Sequence, residues 1–175
     1  EYRGQLKENQ QKELVIKIVK IELKSNLEIL NEWRPYHEKV LNNLNEALNS
    51  NSTNSTLFTE KGVFTWSLMP NGVVQRVIDN GSWQTLKSSS ISSTIEFNTM
   101  FTLSQLYKQQ AQGVESTLNR ILKIISARES LEQKNQRSTI ILLRNTFNEM
   151  VSQEIFLIKK YEQALIEIEK DDSIN

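Results

Sequence analysis

Apolar residues recur at three- and four-residue spacing over most of this chain, the pattern of helices that bury one face. From about Gln11 to Leu48 the series runs Ile16, Val19, Leu23, Leu27, Leu30, Leu41, Leu44 and Leu48, which predicts one long helix over about 11–48. Pro35 lies inside it. A proline there removes a ladder hydrogen bond and clashes with the carbonyl four residues back, so a kink, or two helices meeting at Trp33-Arg34-Pro35, is expected. A second series, Phe97, Met100, Ser104, Tyr107, Ala111, Val114, Leu118, Ile121 and Ile125, predicts a helix over about 93–127, opened by the capping-box pattern Ser93-Thr94-Ile95-Glu96. After a break near Ala127 to Arg137, a third helix over about 131–170 carries Ile140, Leu143, Phe147, Met150, Glu154, Leu157, Tyr161, Ala164 and Ile168 on one face.

The segments between are of a different kind. Residues 49–56 are a polar Asn/Ser/Thr tract with nothing to bury, read as a loop, and they include Asn-x-Ser/Thr sequons at Asn51 and Asn54. Leu57 to Met69 is apolar and aromatic, and Pro70-Asn71-Gly72 makes a turn. Asn71 is then placed to cap a short helix, Val73 to Asp79, which Gly81 would end in the left-handed conformation. Helices of about 35 residues run about 50 Å and must pack side by side. The expectation is an all-α fold, a single domain over residues 1–175. It is an elongated antiparallel bundle of three long helices, with one or two short helices in the 57–91 connection.

Composition narrows the chemistry. The chain has 175 residues and Cys 0, so it can bury a core but forms no disulfide. Lys+Arg 21 balances Asp+Glu 21, which removes the charge footprint of a nucleic-acid binder. One His and three Asp leave few parts for a zinc site or a Ser-His-Asp arrangement, and one His cannot supply the paired Glu-x-x-His ligands of a di-iron helical site. No phosphate-loop, dinucleotide, zinc-protease or nucleophile-elbow motif occurs. Ser88, Ser89 and Ser90 resemble a nucleophile cluster only by number. No metal, no cofactor and no enzymatic activity are expected.

The side chains that stand out are candidates for ligand or partner binding. In the series 23, 27, 30, 34, 37, 41, Arg34 and His37 fall where leucine is expected. A guanidinium and an imidazole on a core-facing turn, with Trp33 and Tyr36 adjacent, could bind a carboxylate or small anion. The preferred account is that Pro35 shifts the register, so that Trp33, Tyr36 and Val40 face the core while Arg34 and His37 point to solvent or cap a neighbour. Trp83 either closes a pocket or, as preferred, plugs the end of a bundle, with Tyr107 and Gln110 one turn apart and able to address it. Glu154 interrupts its stripe, and register drift toward Ile155 and Ile158 is preferred over a buried carboxylate, which would need a partner such as Arg34 or a lysine.

Two blocks carry a resemblance. Glu22-Leu-Lys-Ser-Asn-Leu-Glu-Ile-Leu-Asn-Glu-Trp-Arg-Pro-Tyr-His-Glu-Lys-Val-Leu41, and Ser82-Trp83-Gln84-Thr85-Leu86-Lys87-Ser88-Ser89 through Leu103-Ser104-Gln105-Leu106-Tyr107 to Gln110, resemble a family of uncharacterised bacterial proteins with a single N-terminal membrane anchor. Ser89 and Ser90 stand where that pattern has a small residue or glycine. The resemblance implies placement and no activity: an anchor upstream of Glu1 in the bacterial inner membrane, with the helical domain facing the periplasm or cell exterior. The expected function is a membrane-tethered, non-catalytic module that senses a small ligand or a protein partner. The alternatives are a tethered scaffold that self-associates as a homo-oligomer, and a soluble cytosolic helical protein.

Overall fold

The computed structural model describes residues 2–50 and 56–173, so residues 51–55 of the expected polar loop, with the sequons at Asn51 and Asn54, lie outside the described residues. Helix α1, Tyr2–Asn49, is one helix with Pro35 inside it, which corrects the alternative of two helices meeting at that residue. Pro35 is exposed, so its ring displaces no packing. The register is not shifted either. Leu23, Asn26, Leu30, Trp33, His37, Val40, Leu44 and Ala47 are all buried, an unbroken alternation of three and four residues that runs straight through the proline. The sequence series began this alternation one step out of phase after Leu23, so Leu27, Leu41 and Leu48 flank the seam instead of filling it.

After α1 comes irregular chain. An isolated antiparallel bridge joins Phe58 and Phe64 across a tight turn in which the Gly62 N–H donates to the Thr59 carbonyl and Gly62 takes φ +73°. The Pro70-Asn71-Gly72 turn is present: the Gly72 N–H reaches the Met69 carbonyl at 3.0 Å. The short helix expected over 73–79 is not. Side chains of α1 take its backbone instead: the Val73 carbonyl accepts from His37, and the Asp79 N–H and carbonyl both bond Asn26. Nor does Gly81 end a helix. It begins helix α2, Gly81–Ser88, at whose entry the Asp79 carboxylate accepts the Asn80 and Gly81 N–H groups at 2.7 and 3.1 Å.

A 3-10 turn, Ser90–Thr94, follows, and Glu96 precedes helix α3, Phe97–Gln109. The expected capping box does not form, because the Ser93 hydroxyl donates back to the Ser90 carbonyl. Ser88, Ser89, Ser92 and Thr94 make the same kind of local bond, so these hydroxyls are occupied by their own backbone. A π-helical turn, Gln110–Glu115, carries α3 into helix α4, Ser116–Ser126. Thr99, Leu103 and Leu106 are buried before it, Gln110 and Val114 within it, and Thr117 and Ile121 after it. The two consecutive four-residue steps around Gln110 mark the residue that the π turn adds. Of the expected series here, Tyr107, Val114 and Ile121 are buried, whereas Phe97 is 77% exposed and Ser104 and Ala111 face out. Two 3-10 turns, Arg128–Leu131 and Gln133–Asn135, lead into helix α5, Gln136–Ser173. All the expected stripe positions of α5 are buried, Glu154 included.

The fold is all-α: with α3 and α4 taken as one rod, the described residues form four helices and no strand beyond the isolated bridge. No helix among them is long and apolar enough to cross a membrane. The chain divides into two compact units. The first draws together Glu1–Leu30, Val77–Gln110 and Phe156–Asn175, the second Asn31–Arg76 and Ala111–Ile155.

Candidate functional site

Each unit has polar side chains at seam positions where an apolar residue would pack without needing a partner. In the second unit these are His37 on α1 and Glu154 on α5, both with side chains 0% exposed. His37 Nε2 lies 2.8 Å from the Val73 carbonyl, which can only accept, so Nε2 carries a proton and donates it. Nδ1 lies 2.5 Å from Glu154 Oε1, and one proton serves both groups there. The ring is boxed by Trp33, Tyr36 and Phe147 at centroid distances of 5.8, 5.7 and 5.5 Å. Burial pushes the Glu154 carboxyl above the usual carboxylate range, with the His37 hydrogen bond and charge pulling back, Glu38 adding to the rise and Arg34 opposing it. Glu154 Oε2 has no partner.

Beside this pair the 71–76 segment is held against α1. The Tyr36 hydroxyl donates to the Gly72 carbonyl at 2.5 Å and accepts the Asn71 N–H at 3.1 Å, and burial raises its pKa against the pull of that N–H. Arg76 pairs with Glu32 at 2.8 Å. Between helix and segment lies a cavity of about 260 Å³, lined by Glu32, Trp33, Tyr36, Asn71, Val73, Val74, Gln75 and Arg76. The indole N–H of Trp33 is buried and without an acceptor.

In the first unit, Asn26 Nδ2 donates to the Asp79 carbonyl and the Tyr161 hydroxyl at 2.6 and 3.0 Å, while its Oδ1 accepts the Asp79 N–H at 2.9 Å. Tyr161 in turn donates to Gln110, the first residue of the π turn, whose amide also reaches the Asp79 carbonyl at 3.1 Å. Trp83 stacks on Tyr107 with centroids 5.4 Å apart and rings 1° from parallel. The Tyr107 hydroxyl donates to Glu22 at 2.5 Å, and burial, then the Glu22 hydrogen bond and charge, push its pKa far up. Glu22 also accepts the Ser82 N–H at 2.8 Å. The Asn26, Tyr107, Gln110 and Tyr161 side chains are thus bonded in the arrangement of a specified core, while the buried Ser82 hydroxyl has no partner.

The candidate residues therefore separate. Trp33 and His37 meet in the second unit; in the first, Trp83 meets Tyr107, while Gln110 joins Asp79 and Tyr161 instead. Arg34 joins neither cluster: it points outward, 45% exposed, and pairs with Glu38 along the helix at 3.2 Å. The expectation that His37 would face solvent is corrected, as is register drift at Glu154, and for one reason: each is the partner the other needs in order to be buried. Glu32, Arg76, Asn26 and Tyr161 were not singled out by the sequence. Asn26 alone left a signal there, a polar residue three positions after Leu23, where the alternation places the seam. Among the described residues no group of His, Asp and Glu is arranged to hold a metal ion. No protein-family model, no curated protein and no solved structure matches this chain.

Proposed function

We propose that this chain is a non-catalytic helical module that binds a small ligand or a short segment of a partner, and that it works on a membrane tether outside the cytoplasm. The observation that carries the binding reading is the cavity between α1 and the 71–76 segment, walled by Trp33 and Tyr36 and mouthed by Glu32 and Arg76. His37 and Glu154 support the non-catalytic part: the acid–base pair is fully enclosed and its hydrogen bonds go to each other and to Val73, so neither group reaches the cavity as a free acid or base. The tether rests on the resemblance of the two sequence blocks. An antiparallel bundle belongs to the same reading, supported within each unit by the pairing of α1 with α5 through Asn26–Tyr161 and His37–Glu154.

The test is a two-dimensional NMR titration with a panel of small amines, carboxylates and short peptides, read at the Trp33 indole. Movement there that saturates supports the module, and silence across the panel removes it. Fractionation of the full-length gene product tests the tether, which recovery in the soluble cytosolic fraction would sink. A second reading, the self-associating scaffold, is favoured by Leu14, Ile18 and Ile21, exposed on one face of α1 at 57%, 47% and 59%. A concentration-dependent mass in sedimentation, with a silent Trp33, selects it.

A further inference from the structure

We infer that the cavity on α1 takes a free α-amino acid with an apolar side chain, its carboxylate on Arg76 and its ammonium on Glu32. The inference rests on the reading of the second unit as a binding module and names the ligand class for it.

Size comes first. Pockets for drug-sized ligands occupy about 300–1,000 Å³. At about 260 Å³ this cavity suits an occupant of few heavy atoms. Charge then selects among small molecules. Arg76 and Glu32 stand side by side at the mouth and are bonded to each other at 2.8 Å, with side chains 44% and 53% exposed. A ligand with one charge would answer only one of them. A zwitterion meets both, exchanging one ion pair for two charge-assisted contacts. Exposed pairs of this kind contribute little to stability, so opening this one costs little.

The wall chooses the side chain. Trp33, Tyr36 and Val74 present rings and methyl groups, on which an aliphatic side chain packs. The frame is set before any ligand arrives: the Tyr36 hydroxyl holds Gly72 and Asn71, and His37 holds the Val73 carbonyl. Opening the Glu32–Arg76 pair therefore leaves the walls in place.

The experiment titrates L-leucine into isotopically labelled protein and follows the Trp33 indole resonance, assigned with Trp33→Phe. N-acetyl-leucine, which lacks the ammonium, and leucine amide, which lacks the carboxylate, are the controls. Leucine is expected to move the resonance and saturate at millimolar concentration or below, with each singly charged analogue about tenfold weaker or more. Glu32→Gln and Arg76→Gln should weaken leucine similarly while leaving the melting temperature nearly unchanged, since both side chains are at the surface. Equal response to leucine and its two analogues overturns the inference. So does a peptide that moves Trp33 where leucine does not, though binding at this site then survives. Silence toward leucine and toward the wider panel removes both.

Discussion

With its Nε2–H committed to the Val73 carbonyl, the His37 ring has only Nδ1 to offer Glu154, and a single shared proton keeps the buried pair neutral overall. Truncating one partner strands the other in the interior. His37→Ala is expected to cost about 3–5 kcal/mol, whereas replacing both partners with leucine should cost far less, because no polar group is then left behind. Urea unfolding of the two variants at neutral pH decides this, and equal losses would show that packing, not polarity, sets the cost. The sign of the pH dependence follows from Glu154. Its carboxyl is raised above the unfolded value of about 4.3, so the folded state holds its proton more tightly, and that contribution is complete below the unfolded value and fades as pH rises through the raised one. Glu154→Gln removes the fade. The stability of the parent relative to this variant should therefore fall as pH rises above about 4. A constant difference over that rise would contradict the assignment.

At the scale of elements, α1 shows how a long helix tolerates a local defect. Proline inside a helix costs up to about 3 kcal/mol relative to alanine, and here its ring contacts solvent while the seam on the opposite face stays continuous. Pro35→Ala should thus stabilise the protein by about 1–3 kcal/mol with an unchanged near-ultraviolet aromatic spectrum. A destabilised variant would mean that a bend at Pro35 is needed for packing. Helix α2 has only eight residues and is held by what it buries, Trp83 and Leu86. Trp83→Ala removes the ring stacked on Tyr107 and should cost about 3–5 kcal/mol, read as a lower melting temperature. A shift of a degree or two would show the ring to be dispensable.

At the scale of the whole molecule, the formal charge is zero and the isoelectric point lies at about 6.9, so near neutrality little net repulsion keeps copies apart. Exposed apolar side chains add to this, among them Phe97 and Phe101 stacked on each other at 6.2 Å. Solubility should pass through a minimum near pH 7 and rise on either side, which light scattering of concentrated samples across pH would show. A minimum far from pH 7 would mean that the charges seen by solvent differ from the formal sum.

The all-α class and the face of α5 were legible from sequence because they rest on a local property, the helical period of apolar side chains. Spacing alone puts Glu154 in that stripe, but without His37 in view register drift toward Ile155 and Ile158 is the preferred account, and the structure overturns it. The phase of the α1 seam was not legible, since Leu27 and Leu41 are as apolar as the residues that win, and the true positions include Asn26 and His37, whose burial makes sense only once Tyr161 and Glu154 are beside them. The same holds for the stretch 73–79, where Asn71 and Gly81 look like helix ends but α1 side chains take the backbone groups that a helix would have used. The π turn at Gln110, with its extra residue, has no local signature in the series. Local periodicity determines that helices form and, where every seam position is apolar, which way they face. A polar side chain at a seam is decided by a partner up to 135 residues away, because only a completed hydrogen bond offsets the cost of leaving water.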